Sequence, residues 1–401
     1  MIPLRIVVVG SGVIGLLTAV ECVRAGAQVD LVDKDDIPSP WATSNDLHRV
    51  VRALHRGDAA LTLAGARAIE GWLDVQRLLG ARFYYQVGVL TVMPAADTPA
   101  SLALLAEAGA AARAVSAAEL PARYPQIRIP AGGAEGGSES DLEAIFEPPA
   151  GAVLAGQALL ELARWLGRQP GVRLYPQHRV TAIDEDGAVR FADGTELAGD
   201  SVVVAAGPWS GELIPPGLRE DLTLYRQTML SYAPPTGAWA WWAGTPAILG
   251  LGAGHDAWLM PPVAGTPARL SAASACRVVA EMTGRDTAAE WFGHLTSRFS
   301  ELLTDFDPAA VTGAADGYYL AGAADGRPLL ASLGDGAVWA YAACGGMSFK
   351  FAPLIARALA DRAAGRLPRT TGLDPVDRPR EFAAAAPASD GGPAGSRRKT
   401  P

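Results

Sequence analysis

The stretch Leu4-Arg5-Ile6-Val7-Val8-Val9-Gly10-Ser11-Gly12-Val13-Ile14-Gly15 decides the fold. Its first half is a β-branched run, the pattern of a strand buried on both faces. Three glycines in GxGxxG spacing follow at once. The next residues predict a helix over 16–25, stopped by Gly26, and a second strand over 28–32 that ends at Asp33. Together these form a β-α-β unit with the glycines at its first turn. Gly10 permits the tight turn, Gly12 lets the backbone approach a pyrophosphate, and Gly15 allows close helix–strand packing. The N–H groups and positive dipole end of the helix would face the phosphates. Asp33 stands eighteen residues after Gly15, where it can accept both ribose hydroxyls of an adenosine. An acid there disfavours a 2′-phosphate.

Working outward, helical patterning continues at 59–79, 99–108, 156–167, 287–303 and 352–364. Strands are expected at 87–93, 172–175, 179–184, 188–192, 201–207, 222–231, 258–271 and 338–341, with a hairpin signal at Asp186-Gly187. The Gly-rich segment 131–140 reads as a loop. Both ends of the chain look like α/β elements and the middle looks antiparallel. The expected class is therefore α/β plus α+β: a discontinuous Rossmann-like nucleotide-binding domain from 1–82, 146–220 and 321–383, and an antiparallel-sheet substrate domain from 83–145 and 221–320. Residues 384–401 are Ala/Pro/Gly/Ser-rich and read as a disordered tail.

Composition narrows the function. The 401 residues are 49% hydrophobic and 19% charged, which describes a packed globule. A formal net charge of -8 argues against nucleic acid as a partner. Cys22, Cys276 and Cys344 lie far apart and are odd in number, so a disulfide framework and a zinc site are both disfavoured, and a reduced cytoplasmic protein is expected. The apolar run near the start is broken by glycines and lacks a basic flank, which argues against a signal peptide or membrane span. Lys34, Lys350 and Lys399 are the only lysines among 34 basic residues. Each is a candidate for a specific role.

Several downstream segments carry a resemblance. They are Thr43-Ser44-Asn45-Asp46-Leu47-His48-Arg49-Val50-Val51-Arg52, the strand Ser201–Gly207 with Pro208-Trp209-Ser210, Asp325-Gly326-Arg327-Pro328-Leu329, and Gly346-Met347-Ser348-Phe349-Lys350-Phe351-Ala352-Pro353. In this order they resemble the D-amino-acid-oxidase-type FAD family, in particular its monomeric sarcosine oxidase and N-methyltryptophan oxidase branch. The resemblance implies bound FAD, contacted by Gly10, Ser11, Gly12, Val13, Ile14, Gly15, Asp33, Lys34, Ser44, Arg49, Val180, Ala206, Gly207, Trp209, Gly346, Met347 and Lys350. It implies oxidation of an amine to an imine by hydride transfer to flavin N5, with oxygen as acceptor. The substrate carboxylate would be held by Arg52 and Lys350.

The sequence departs from that pattern at four places. Gly317 stands where the branch attaches FAD through a cysteine, so the FAD is expected to be non-covalent. Arg269 stands at the position of an oxygen-activating lysine, and Ala273 at that of a histidine. Trp258 replaces one family tyrosine and Tyr319 matches another. Trp239, Trp241 and Trp242 suggest an apolar ceiling and hence a bulky or aromatic amino acid, such as a secondary-metabolite precursor. Of the histidines, His48 neighbours Arg49, and His55, His178, His255 and His294 read as isolated. No metal site is expected. The expected oligomeric state is a monomer or weak homodimer. The competing readings are an FAD dehydrogenase with another electron acceptor, and a non-catalytic flavin-binding subunit.

Overall fold

The computed structural model describes residues 3–128, 142–252, 254–323, 328–333 and 337–366. The expected loop at 131–140, most of the Asp325–Leu329 segment and the expected tail lie outside these residues.

The opening stretch forms strand β1 (Arg5–Val9), helix α1 (Val13–Arg24) and strand β2 (Gln28–Val32). Around β1 and β2 lies a six-stranded sheet, ordered 329–333, 338–343, 201–204, β1, β2, 172–175. All neighbours are parallel except Leu329–Leu333, which pairs antiparallel with Val338–Ala343. The apolar runs of its central strands suit this position, because helices cover one face and a second apolar cluster with Val180, Val189 and Phe191 covers the other.

Two features close the first turn. Gly10 has φ +107°, and a Cβ there would lie 2.4 Å from the Ala205 carbonyl oxygen. A Cβ on Gly15 would lie 1.8 Å from the Gly10 carbonyl oxygen. Only glycine fits either place.

Strand β3 (His48–Val51) runs into the loop that carries Arg52 and His55, and helix α2 (Ala59–Leu79) follows. Asp58 caps α2 by accepting from Leu61 N at 2.8 Å, and Gly80 ends it at φ 64°.

The second large sheet has nine strands and is mainly antiparallel. It departs from the expectation in one pair, because Ala247–Leu251 runs parallel to Val89–Pro94. The expected single strand over 258–271 is two, Ala257–Met260 and Ala268–Ala272, paired antiparallel around a turn at Val263 and Thr266. Its long strands, Leu222–Tyr232 and Val311–Gly322, pair along their whole length. Their period of two divides the sheet. Tyr225, Gln227 and Met229 point to a cavity, while Leu230 and Tyr232 enter a core capped by the helix Ala289–Leu302.

Asp316 pins this sheet. It is buried and receives Arg226 Nε, Arg277 Nη2 at 2.8 Å, and hydroxyls from Thr228 at 2.6 Å and Thr287 at 2.9 Å. Removing the acid would strand two guanidinium groups, a loss of about 3–5 kcal/mol.

The last described helix starts earlier than expected, at Ser348 instead of 352, and runs to Ala363. Pro353 lies inside it, packed where a Cβ on Gly71 of α2 would be 2.9 Å from the Pro353 Cβ. Lys350 is therefore in the first turn of a helix and not in the loop before it.

Candidate active site

A cavity of about 730 Å³ lies between the ends of the parallel strands and one face of the second sheet. In an α/β sheet this is the position where ligands bind, outside the carboxyl ends of the strands. Every residue expected at the cofactor lines it except Gly15, whose place is the close packing against Gly10.

Asp33 organises the glycine turn at one end of the cavity. Its Oδ2 accepts from Ser11 N at 2.6 Å and Ser11 Oγ at 2.7 Å, and its Oδ1 accepts from Asp35 N at 3.0 Å. Ser39 N donates to Ser11 Oγ at 2.9 Å. The acid thus braces the turn as well as facing the cavity. Ser44 Oγ accepts from Val13 N at 3.0 Å, and α1 carries no acid in its first turn to oppose its dipole. Lys34 Nζ lies 4.4 Å from the Trp209 ring centre and pairs with Asp35 at 2.6 Å.

The middle of the cavity holds an ion cluster. Arg269 Nη2 donates to Asp46 Oδ1 at 2.7 Å and its Nη1 to Ser231 Oγ at 3.0 Å. Arg49 pairs with Asp46 at 3.3 Å and donates to the Thr43 carbonyl at 2.6 Å. Burial works to raise the Asp46 carboxyl, but Arg49, Arg269 and the Leu47 N–H outweigh it and hold it below the usual range. His48 is buried and its Nε2 donates to the Pro267 carbonyl at 3.1 Å. Burial pushes its pKa down to about 4, so the ring is neutral and Nδ1 is a bare acceptor.

At the far end Lys350 Nζ lies 3.0 Å from His55 Nε2 and 3.8 Å from Met347 Sδ. Trp72 Nε1 donates to the Lys350 carbonyl at 3.0 Å, and the Trp72 ring stacks on Phe349 at 5.1 Å, which fixes the turn bearing the lysine. Arg52 lines the same cavity, and its charge acts on both Lys350 and His55. Tyr225 and Tyr319 stack at 5.3 Å in the wall, beside Trp258 and Met229.

Two readings of the sequence need correction. Trp239 and Trp241 are exposed, and Trp242 is buried against Tyr232, so none of the three lines the cavity. They occupy a short surface turn, Trp239–Trp242, whose helical spacing presents two rings outward. His55 is not isolated, because the loop after β3 folds it behind Lys350, and His178 lines the cavity near Arg179 and Val180. Two of the three cysteines also line it: Cys276, whose Sγ is 3.3 Å from Tyr319 Oη, and Cys344. Strand pairing explains the first, since Gln227 has Cys276 on one side and Gly317 on the other. Sequence distance concealed both relationships.

The donor set fits a flavin dinucleotide. The glycine turn and α1 offer backbone donors to phosphate, and Asp33 lies at the tip of β2. Arg49 Nε, Arg269 Nε and His48 Nδ1 are buried without hydrogen-bond partners among the described residues. These atoms lie beneath the cavity surface, so the fit rests on the glycine turn, α1 and Asp33. The chain belongs to the FAD dependent oxidoreductase family, whose model matches residues 5–362. FAD is the cofactor of that family.

Among curated relatives, the chain is 30% identical to a glycine oxidase of Pseudomonas putida over 224 residues, 52% of this chain and 57% of that one. It is 25% identical to a monomeric sarcosine oxidase of a Bacillus species over 219 residues, 52% and 53% of the two chains. The chain thus spans about half the length of the curated relatives it matches. Among solved structures, NikD, described as an unusual amino acid oxidase, superposes with a TM-score of 0.72 at 18% identity over 96% of this chain and 98% of that one. Fructosamine oxidase from Aspergillus fumigatus gives 0.71 at 16% identity, covering 92% and 88%. At these identities the likeness is one of fold.

Proposed function

We propose that the protein oxidises the C–N bond of an amino acid or N-substituted amino acid to an imine, with FAD held without a covalent link. FAD, when bound, supplies the acceptor for the hydride. The observation that carries the reading is the convergence of Arg52 and Lys350, 298 positions apart, on the wall of one cavity. Both suit a carboxylate: Arg52 presents a planar fork and Lys350 a compact charge. His48 lines the cavity as a neutral imidazole, its Nε2 held by the Pro267 carbonyl. Tyr225, Tyr319, Trp258 and Met229 give the substrate side an apolar, aromatic lining. That lining supports a bulky or aromatic side chain without help from the surface tryptophans.

Oxygen is the proposed electron acceptor, with hydrogen peroxide as product. A second reading, a dehydrogenase, is favoured by one specific feature: the Arg269 guanidinium is already paired with Asp46 and Ser231. A cation so neutralised is a weaker stabiliser of superoxide than a free lysine. Measuring peroxide formed per imine, with a dye acceptor in parallel, separates the two. Equimolar peroxide supports the oxidase, and turnover with dye alone supports the dehydrogenase.

A further inference from the structure

Four titratable groups meet behind the carboxylate end of the cavity, brought there by four different segments. Arg52 follows β3, His55 lies in the next loop, Glu147 ends the strand Leu142–Glu147, and Lys350 opens the helix Ser348–Ala363. Glu147 is the acid of the group. Its Oε2 accepts from Ala53 N at 2.8 Å and Leu54 N at 3.2 Å, so it is tied to the loop that carries Arg52 and His55. Tyr84 faces Glu147 from the other side, but its hydroxyl donates to the Pro149 carbonyl at 2.7 Å. The Lys350 and His55 side chains are both buried, with the Phe351 ring packed against each.

The charges in this cluster do not balance if every base is protonated. Arg52 is always cationic, and Glu147 can offset one positive charge. A second cation, on Lys350 or His55, would be buried without a counter-charge, which is strongly unfavourable. Burial and the neighbouring Arg52 push Lys350 well below the ordinary lysine range, and burial, Lys350 and Arg52 do the same for His55. Before substrate arrives the pair is therefore an amine beside an imidazole. A carboxylate entering between Arg52 and Lys350 supplies the missing negative charge.

We propose that His55 and Lys350 form a proton-accepting pair that gains one proton as a substrate carboxylate binds, so that Lys350 retains the proton brought in on the substrate ammonium and the substrate nitrogen keeps its lone pair. The inference rests on the amino acid reading and extends it. An amino acid enters as a zwitterion, yet its nitrogen must be neutral to release a hydride from carbon. In the transfer an N–H bond of the substrate ammonium breaks, its electron pair stays on nitrogen, and an N–H bond forms at Lys350 Nζ. No electrons change hands and no co-reactant is needed. His55 is a positioning residue: its Nε2, 3.0 Å away, accepts from the charged lysine once the proton is there.

The test is calorimetric titration of the FAD-bound protein with phenylacetate, a carboxylate without an amine, at about pH 7 in phosphate and in Tris. The difference in heat between these buffers gives the protons exchanged, and about one proton taken up per site is expected. Lys350→Met should abolish the uptake. His55→Phe should weaken phenylacetate binding by about tenfold or more, and His55→Gln should restore much of it. Phenylacetamide should bind without uptake. Binding of phenylacetate to the wild type with no proton uptake would overturn the inference while leaving the carboxylate site intact. No binding of any carboxylate would overturn the amino acid reading and the inference with it.

Discussion

The guanidinium of Arg269 is joined to the carboxylate of Asp46 by an ion pair of 2.7 Å, although the two residues are 223 positions apart. Arg269 lies on the strand Ala268–Ala272 and Asp46 on the segment that leads into β3, so the pair ties the substrate-side sheet to the nucleotide-side fold. On the proposed oxidase reading, it also sets how much of the Arg269 charge would be available to reduced flavin and oxygen. Arg269→Lys should leave a shorter cation with a weaker hold on Asp46, and flavin reoxidation in air equal to or faster than wild type. Arg269→Met should slow it. Stopped-flow mixing of anaerobically reduced protein with air-saturated buffer measures all three. Identical rates would show that the ion pair removes Arg269 from oxygen chemistry.

Acid precipitation should release the flavin intact into the supernatant, because Gly317 offers no attachment atom. The experiment discriminates well, since Cys276 and Cys344 do line the cavity. Burial pushes both thiols up, Cys344 to about 11, so neither is a ready nucleophile at neutral pH. Flavin that stays with the precipitate would point to one of them.

Asp33→Ala should weaken FAD binding by about 1–3 kcal/mol, the range for a charged hydrogen-bond partner. Because Asp33 also holds the Ser11 backbone and hydroxyl, Ser11→Ala should lose a smaller part of the same affinity. Flavin fluorescence titration of the apoprotein reads both. Unchanged affinity in Asp33→Ala would remove the ribose role.

These two sites show what could be read in the chain and what could not. The β-α-β unit was legible because its signals are local: a β-branched run, three spaced glycines and an acid at a strand tip. The antiparallel sheet was partly legible from alternation, and the break at Val263 and Thr266 was marked by Pro261, Pro262, Gly265 and Pro267, breaker residues that the single-strand reading over 258–271 passed over. The Arg269–Asp46 and Lys350–His55 contacts join residues far apart in sequence, and nothing in either neighbourhood encodes the partner. The tryptophans at 239, 241 and 242 misled because an aromatic cluster specifies burial only when the face it occupies is known.

Acid should destabilise the protein through its buried histidines. The unfolded chain protonates His48 near pH 6.5, whereas the folded protein resists until about pH 4. Between these values the unfolded state binds more protons, so stability is fully present above the window and is lost as the pH falls through it. His55, also pushed well below 6.5, acts in the same direction. The His48 shift contributes up to about 3 kcal/mol. His48→Gln keeps a donor for the Pro267 carbonyl and removes one titration. Its denaturant midpoint should therefore fall less steeply than wild type between about pH 6.5 and 4. Parallel curves would show that His48 is protonated equally in both states.

If FAD in this cavity is reduced by an amine whose carboxylate is held by Arg52 and Lys350, removing that carboxylate must impair reduction. Anaerobic titration of the FAD-bound protein, followed by visible absorbance, tests it most directly. The titrants are a panel of N-methyl and aromatic amino acids, each paired with the amine that lacks the carboxylate. At least one amino acid should bleach the flavin while its decarboxylated partner does not, and Lys350→Met should retain FAD but bleach more slowly or at higher substrate concentration. Bleaching by the amine as readily as by the amino acid, or undiminished bleaching in Lys350→Met, would contradict it.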